Sequence, residues 1–242
     1  GVLDNKGIRA FIQRLIECRI ENLLIVIISD QNYNLGASFR PIEPTLLYLN
    51  EDDLRMRPQE VEELFSLHDR TIPSTQSEEI VSRWDGWPLA IRSTMFDHGG
   101  VVLDHETPTT FIRDFFERDY YSQYSENTRK VLVQLSLLDF FTLDMVQPLA
   151  QNEEECKYII AKNPFICPTL QGDGYRFRHG YRTFLISQQH TLSEDDRIAF
   201  YRVAAQVFMQ KGQCISAIPG FYLSGQYDRM IEVMETCFSV YM

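Results

Sequence analysis

Apolar stripes of helical spacing, each with its own start and stop residues, run through most of this chain. They leave little room for anything but a mainly helical fold. Pro58 precedes Val61, Leu64 and Phe65, which share one helical face. Thr75 and Glu78 have the spacing of a capping box, with Ile80, Val81 and Trp84 behind them. Gly86 stops that helix and Pro88 starts the next, which should run to about residue 97, before Gly99-Gly100. Thr107-Pro108 opens a further helix carrying Phe111, Ile112, Phe115 and Phe116. Residues 51–104 therefore read as a helical bundle.

The next stretch mixes two periods. Ser125 caps a helix whose apolar face is Val131, Leu132, Leu135 and Leu138. Thr142 starts a shorter one with Met145, Val146 and Leu149, and Asn152 a third with Ile159 and Ile160 inward. Residues 165–170, a Gln171-Gly172-Asp173-Gly174 turn and residues 175–178 then give a hairpin signature, with Pro168 confining the first strand to an edge or a bulge. Three helices and a hairpin describe a winged helix, followed by a helix with Tyr181, Phe184 and Leu185 on one side. From Ser193 the pattern is helical to the end. Phe200, Val203, Ala204, Val207 and Phe208 form one face, and Gly212-Gln213 and Gly225-Gln226 each open a new apolar segment. Glycine-punctuated short helices predict the start of TPR-like helical repeats, continuing past residue 242.

The first fifty residues break the helical pattern as well. Ile8, Phe11, Ile12, Leu15 and Ile16 fit a helix with one buried face. The six-residue aliphatic run 23–28 predicts a strand buried on both faces of a parallel sheet, residues 29–44 a loop, and residues 45–49 a second short strand. This reads as a residual α/β piece, the tail of a sheet whose other strands lie upstream. The chain opens on Gly1 and closes on Met242 within an apolar helical pattern, so it is expected to be a fragment of a longer protein.

Composition narrows the chemistry. The 242 residues are 44% hydrophobic and 24% charged, which suits a globular chain with a sizeable core and not a disordered one. The net charge is −11, which opposes phosphate, so direct nucleic-acid binding is not expected. The helix at residues 153–162, which a winged helix would present to DNA, agrees: it carries Glu153, Glu154 and Glu155 against Lys157 and Lys162. Cys18, Cys156, Cys167, Cys214 and Cys237 are odd in number and irregularly spaced, which argues against a disulfide framework and a cysteine zinc site, and for a reducing cytoplasmic setting. The scattered histidines offer no metal pair. No apolar run is long enough to span a bilayer and there is no leader pattern. There is no G-x-x-x-x-G-K-[ST] phosphate loop and no G-x-S-x-G, and the acidic runs read as solvated faces. No catalytic residue, no metal site and no enzyme activity is expected of this segment.

Four segments carry a resemblance. Residues 49–61, L-N-E-D-D-L-R-M-R-P-Q-E-V, are similar to an "L-x-x-x-D-L-R-F-S-x-x-E-A" segment. Residues 82–91, S-R-W-D-G-W-P-L-A-I, are similar to "T-E-G-W-P-A-G-L". Residues 135–139, L-S-L-L-D, are similar to "L-x-x-T-S-I-L-D", and residues 175–185, Y-R-F-R-H-G-Y-R-T-F-L, to "Y-R-F-H-H-L-F-R-E-F-L". In that order, these segments resemble the large ATP-dependent LuxR-type transcriptional regulators of the STAND class of signal-transduction NTPases.

The resemblance implies an architecture: 1–50 the end of a P-loop nucleotide-binding domain, 51–104 a helical domain, 105–190 a winged-helix domain and 191–242 the start of a helical arm. It places the P-loop, the Walker B acids and the DNA-binding domain outside this chain. It implies ADP holding the domains closed, with ATP and an inducer opening the protein to self-oligomerise and activate transcription. ATP or ADP would then belong to the full-length parent, with none bound tightly by this segment alone. The partners would be the rest of the parent chain and an inducer, with no nucleic acid and no membrane contacted directly. Two nucleotide-binding residues follow: Pro88, where the family's G-x-P proline touches the adenine, and His179, where a winged-helix histidine reaches the β-phosphate. On the residues alone, Pro88 also fits a first-turn proline and His179 a structural histidine. The chain departs from the pattern at Ser29-Asp30, where the family reads Ser-Arg; Arg40 is a substitute from the same loop. The rival reading is a helical protein-interaction scaffold with a degenerate nucleotide switch.

Overall fold

The computed structural model describes residues 5–18, 20, 22–28, 47–95, 110–169 and 172–239. Ser29, Asp30 and Arg40, the Gly99-Gly100 and Thr107-Pro108 punctuation, and most of the segment 29–49 lie outside them. The chain divides into two compact units, Gly1–Asp53 and Leu54–Met242. It is mainly helical, with a single small antiparallel sheet among the described residues.

In the first unit, helix α1 spans Lys6–Glu17. The expected strand at 23–28 does not form: these residues pair with no strand among those described, and Leu24 and Ile28 are 84% and 93% exposed. Residues 47–49, the described part of the second expected strand, are likewise unpaired and exposed. An aliphatic run favours extended backbone, but a strand exists only where a neighbour accepts its ladder hydrogen bonds.

The second unit is built from helices that start and stop where local chemistry directs. Short α2 (Glu51–Leu54) lies at the boundary of the two units, and the second unit's first full helix is α3 (Pro58–Ser66), whose Glu60 carboxylate accepts from the Arg57 backbone N–H at 2.7 Å. Val61 and Phe65 are buried. Helix α4 (Ser74–Trp84) corrects the expected capping box: Pro73 sits at the N-cap in extended conformation, and Thr75 falls inside the first turn. Ser77 instead ties α4 to α3, donating to the Glu62 carboxylate at 2.8 Å. Ile80 and Trp84 point into the core. Helix α5 (Pro88–Thr94) begins at its proline.

Helix α6 (Thr110–Asp119) buries Ile112 and Phe116 and leaves Phe111 exposed. Helix α7 (Glu126–Ser136) is capped by Ser125, which accepts from the Thr128 N–H. Short α8 (Leu143–Val146) and α9 (Glu153–Lys162) follow, the latter capped by Asn152. Strands β1 (Ile166–Pro168) and β2 (Tyr175–Phe177) pair antiparallel. Phe141, between α7 and α8, bridges the far side of β2: its N–H and C=O exchange two 2.8 Å hydrogen bonds with Tyr175. Residues 165/178 and 169/174 form hydrogen-bonded pairs, so Pro168 occupies a non-hydrogen-bonded position facing outward, where its missing N–H costs no ladder bond.

Helix α10 (His179–Ser187) buries Tyr181, Phe184 and Leu185. Phe116, Phe165, Tyr181 and Phe184 meet as an aromatic core, with ring centroids 4.7 Å apart for Phe165–Tyr181 and 5.0 Å for Phe116–Tyr181. Trp87 joins this cluster against Phe116 and Phe165. Helices α11 (Glu194–Gln210), α12 (Cys214–Leu223) and α13 (Tyr227–Ser239) then pack successively. Phe200, Ala204, Val207 and Phe208 are buried as their spacing predicts, and Val203 is half-buried.

Candidate functional site

Helix α4 ends in two consecutive left-handed residues, Asp85 (φ 55°) and Gly86 (φ 71°), whose N–H groups both reach the Val81 carbonyl. Aspartate tolerates this conformation better than most residues, though at a cost of about 1 kcal/mol relative to glycine. Glycine is required next. A Cβ on Gly86 would stand 2.9 Å from the Arg55 Cβ and 3.0 Å from the Met56 carbonyl, because the Met56 N–H donates to the Gly86 carbonyl at 2.8 Å. The turn is thus clamped from one side by residues 55–56.

The Asp85 side chain uses that placement. One carboxylate oxygen pairs with Arg55 Nη1 and the other with Arg178 Nη1 at 2.7 Å. Arg55 Nη1 also donates to the Asp85 carbonyl at 3.1 Å. All three side chains are at least two-thirds buried, so solvent screens these pairs less than surface ones. Arg178 precedes α10, and the first turn of that helix packs on α4. A Cβ on Gly180 would lie 2.3 Å from a Trp84 ring carbon, so the indole rests directly on the α10 backbone. Further along α10, Arg182 Nε donates to the Ser136 carbonyl at 3.0 Å and its Nη1 meets Asp139 at 3.0 Å. Residues 55, 85, 136–139 and 178–182 are therefore one connected network.

The two residues expected to contact nucleotide flank this network. Pro88 is the first residue of α5, three positions after Asp85, and His179 is the first of α10, next to Arg178. Both are exposed. The structure gives no direct contact between them; it relates them through the Asp85–Arg178 pair and the Trp84–Gly180 contact. Partial burial, with the charges of Arg83 and Arg182, holds the His179 imidazole below the usual histidine range. A neutral ring at a helix N-terminus, facing two guanidinium groups, sits in a positive field.

The arrangement is a positioning device. It joins four chain segments through two carboxylates, Asp85 and Asp139, and three arginines, and it sets no nucleophile against a base. Among the described residues no group of three or more His, Cys, Asp or Glu is placed to hold a metal ion. Among those residues, too, no helix is long and apolar enough to cross a membrane. Asp85, Arg55, Arg178 and Arg182 were not singled out by the sequence reading, although each lies inside a segment that carried the resemblance. The signal available was an aspartate in the position where a helix-ending turn favours glycine, with an arginine in two of the other segments.

No family model matches the chain. Two curated proteins are similar to it over nearly its whole length. The HTH-type transcriptional regulator MalT of Vibrio parahaemolyticus is 22% identical over 247 residues, covering 96% of this chain and 27% of that protein. MalT of Vibrio campbellii is 21% identical with the same coverage. The chain spans about a quarter of the length of these relatives.

Proposed function

We propose that this chain is a regulatory segment of an ATP-dependent transcriptional regulator of the LuxR type, STAND class. In this reading it closes over a nucleotide held by the rest of the parent and relays an inducer signal to a DNA-binding domain elsewhere in that parent. The observation that carries the reading is the convergence of the four resemblance segments. Residues 49–61, 82–91, 135–139 and 175–185, chosen from sequence alone, meet through Arg55, Asp85, Ser136, Asp139, Arg178 and Arg182. The likeness to the two MalT regulators along 96% of the chain supports the same conclusion.

In mechanism, the segment supplies position. In this reading the order α7, Phe141, α8, α9, β1, β2 would be that of a winged helix whose first strand has shrunk to one bridging residue. The Asp85 network would lock this winged helix to the bundle α3–α5, and so fix His179 relative to Pro88. A nucleotide's base would meet Pro88, and a phosphate would meet the neutral His179 within the field of Arg83 and Arg182. Only the closed state would make both contacts, so ADP would select it. Helices α11–α13 would begin the arm that carries the signal away.

The test is ADP titration of the full-length parent by calorimetry. His179→Ala should weaken ADP by tenfold or more, about 1.4 kcal/mol. Unchanged affinity would remove His179 from the site. The isolated chain, without a phosphate loop, should bind Mg-ATP no tighter than about 10 µM. It should also show no competitor-resistant gel shift of duplex DNA at about 150 mM salt. The Asp30 that stands where the family has arginine favours a second reading, a helical interaction scaffold with a degenerate switch. An intact phosphate loop and measurable ATP binding in the parent would exclude it.

A further inference from the structure

Helix α12 packs on both α11 and α13. Against α11 the fit is close: a Cβ on Gly220 would stand 2.9 Å from the Tyr201 carbonyl oxygen and 3.0 Å from the Ala205 Cβ. The C-terminal half of α11 and helix α13 instead face each other across an open groove of about 320 Å³. Its floor is apolar, with Phe221 and Val233 buried and Met209 half-buried on the α11 wall. Its rim is polar. Gln206 and Gln210 stand on α11, Gln226 at the turn, and Arg229 and Glu232 on α13. None of these rim side chains has a hydrogen-bond or ion-pair partner among the described residues. Arg229 and Glu232 are neighbours of opposite charge, three positions apart on one helix, and yet do not pair with each other.

The lining selects among ligand classes. Nucleic acid calls for several cations, and here one cation stands beside one anion. Phe221, the one aromatic residue of the lining, is buried and offers no ring face for stacking a base. A helical partner has its backbone groups paired internally and would leave three amides idle. An extended segment carries a free N–H and C=O at every residue, and each glutamine amide offers both a donor and an acceptor to them.

We propose that this groove binds an extended segment of a partner protein in which an acidic and a basic residue, two positions apart, flank an apolar one. Residues two apart in a strand share a face and lie about 6–7 Å from each other. That is close to the roughly 5–6 Å separating positions three apart on a helix. The acid meets the Arg229 guanidinium, which can grip a carboxylate through two parallel hydrogen bonds, and the base meets the Glu232 carboxylate. The apolar residue between them points the other way, onto Met209 and the floor. The groove shares no residue with the Asp85 network, so the proposal stands independently of the nucleotide reading.

The probe is a fluorescein-labelled peptide with blocked ends, Ser-Ala-Glu-Leu-Lys-Ala-Ser, titrated with the whole chain and followed by anisotropy at about 50 mM salt. Saturable binding is expected with a Kd of about 100 µM. Replacing both charged residues of the peptide by glutamine should weaken it at least tenfold. Arg229→Glu should weaken the original peptide by a similar factor and restore binding of a peptide with lysine in place of its glutamate. Arg229 is exposed, so this change should leave the thermal melt unaltered. Equal affinity for charged and neutral peptides, no saturation up to about 1 mM, or binding indifferent to Arg229→Glu would overturn the proposal. So would sedimentation showing a dimer of the chain that Arg229→Glu dissociates, which would assign the groove to a second copy.

Discussion

The helix ends at Asp85 and at Gly212 and Gly225 solve one geometric problem in opposite settings. At Gly212 and Gly225 a left-handed residue closes α11 and α12 with the same pair of hydrogen bonds. Gln213 N–H reaches the Phe208 carbonyl and Gly212 N–H the Met209 carbonyl; Gln226 and Gly225 repeat this with Phe221 and Tyr222. A Cβ at either glycine would meet open space. At Asp85 the same left-handed conformation is held by a residue that dislikes it, and the following glycine is hemmed in by Arg55 and Met56. The repeat turns answer only to their own backbone. The Asp85 turn answers to two other segments of the chain, at residues 55–56 and at Arg178, which accounts for a strained residue being kept there.

Breaking the crowded side of this comparison should cost most. Trp84→Ala removes the ring that supports Gly180 and empties a buried site, so a loss of about 3–5 kcal/mol is expected in chemical denaturation. A loss under 1 kcal/mol would mean that the indole is not a packing element. Gly180→Ala drives a methyl into that ring from the other partner; about 1–3 kcal/mol is expected, more where the α10 backbone cannot shift.

Asp85→Gly sharpens the contrast because cap and lock predict opposite signs. As a cap alone, the change relieves strain and stabilises by up to about 1 kcal/mol. As the carboxylate between Arg55 and Arg178, its loss should destabilise by about 1–2 kcal/mol net, from charge-assisted hydrogen bonds worth about 1.5–3 kcal/mol less the relieved strain. A double-mutant cycle with Arg178→Ala should show coupling; additive losses would dissolve the lock. Gly212→Ala should cost only its backbone penalty, about 1–2 kcal/mol, with no coupling to any neighbour.

The smallest effect is a pH dependence. The folded protein holds the His179 pKa below its unfolded value of about 6.5. The unfolded chain therefore binds this proton more readily. The contribution is present above that unfolded value and is lost as pH falls through the folded one. Wild type should lose stability relative to His179→Gln between about pH 7 and pH 5, by less than 1 kcal/mol at this exposed site. Equal slopes for the two proteins over that range would refute it.

Helix positions were legible because each start and stop is a local event: Pro58, Pro88, Ser125, Asn152, Ser193, Gly212 and Gly225 act through their own backbone neighbourhood. The hairpin with its edge proline was legible for the same reason. Thr75 misled because Pro73, two residues upstream, sets an extended N-cap before it. The run at 23–28 misled for a different reason. Its aliphatic composition states a preference for extended backbone, while strand formation depends on a neighbour that no local pattern specifies. The site was half legible. Pro88 and His179 came from motif resemblance, whereas the Asp85 lock joins positions 30 and 93 residues away, and spacing along a chain carries no sign of such pairs.

The outward-facing Pro168 has a consequence for how this protein behaves in crowded solution. One side of β2 is covered by Phe141 and the other by β1, so β1 presents the hairpin's outer edge. An edge strand with free N–H groups recruits other extended chains and seeds aggregates. Here the outward donor at the C-terminal end of β1 is missing. A second chain laid along β1 would find a ring in place of a hydrogen, and association along this edge is blocked at the backbone, whatever side chains surround it.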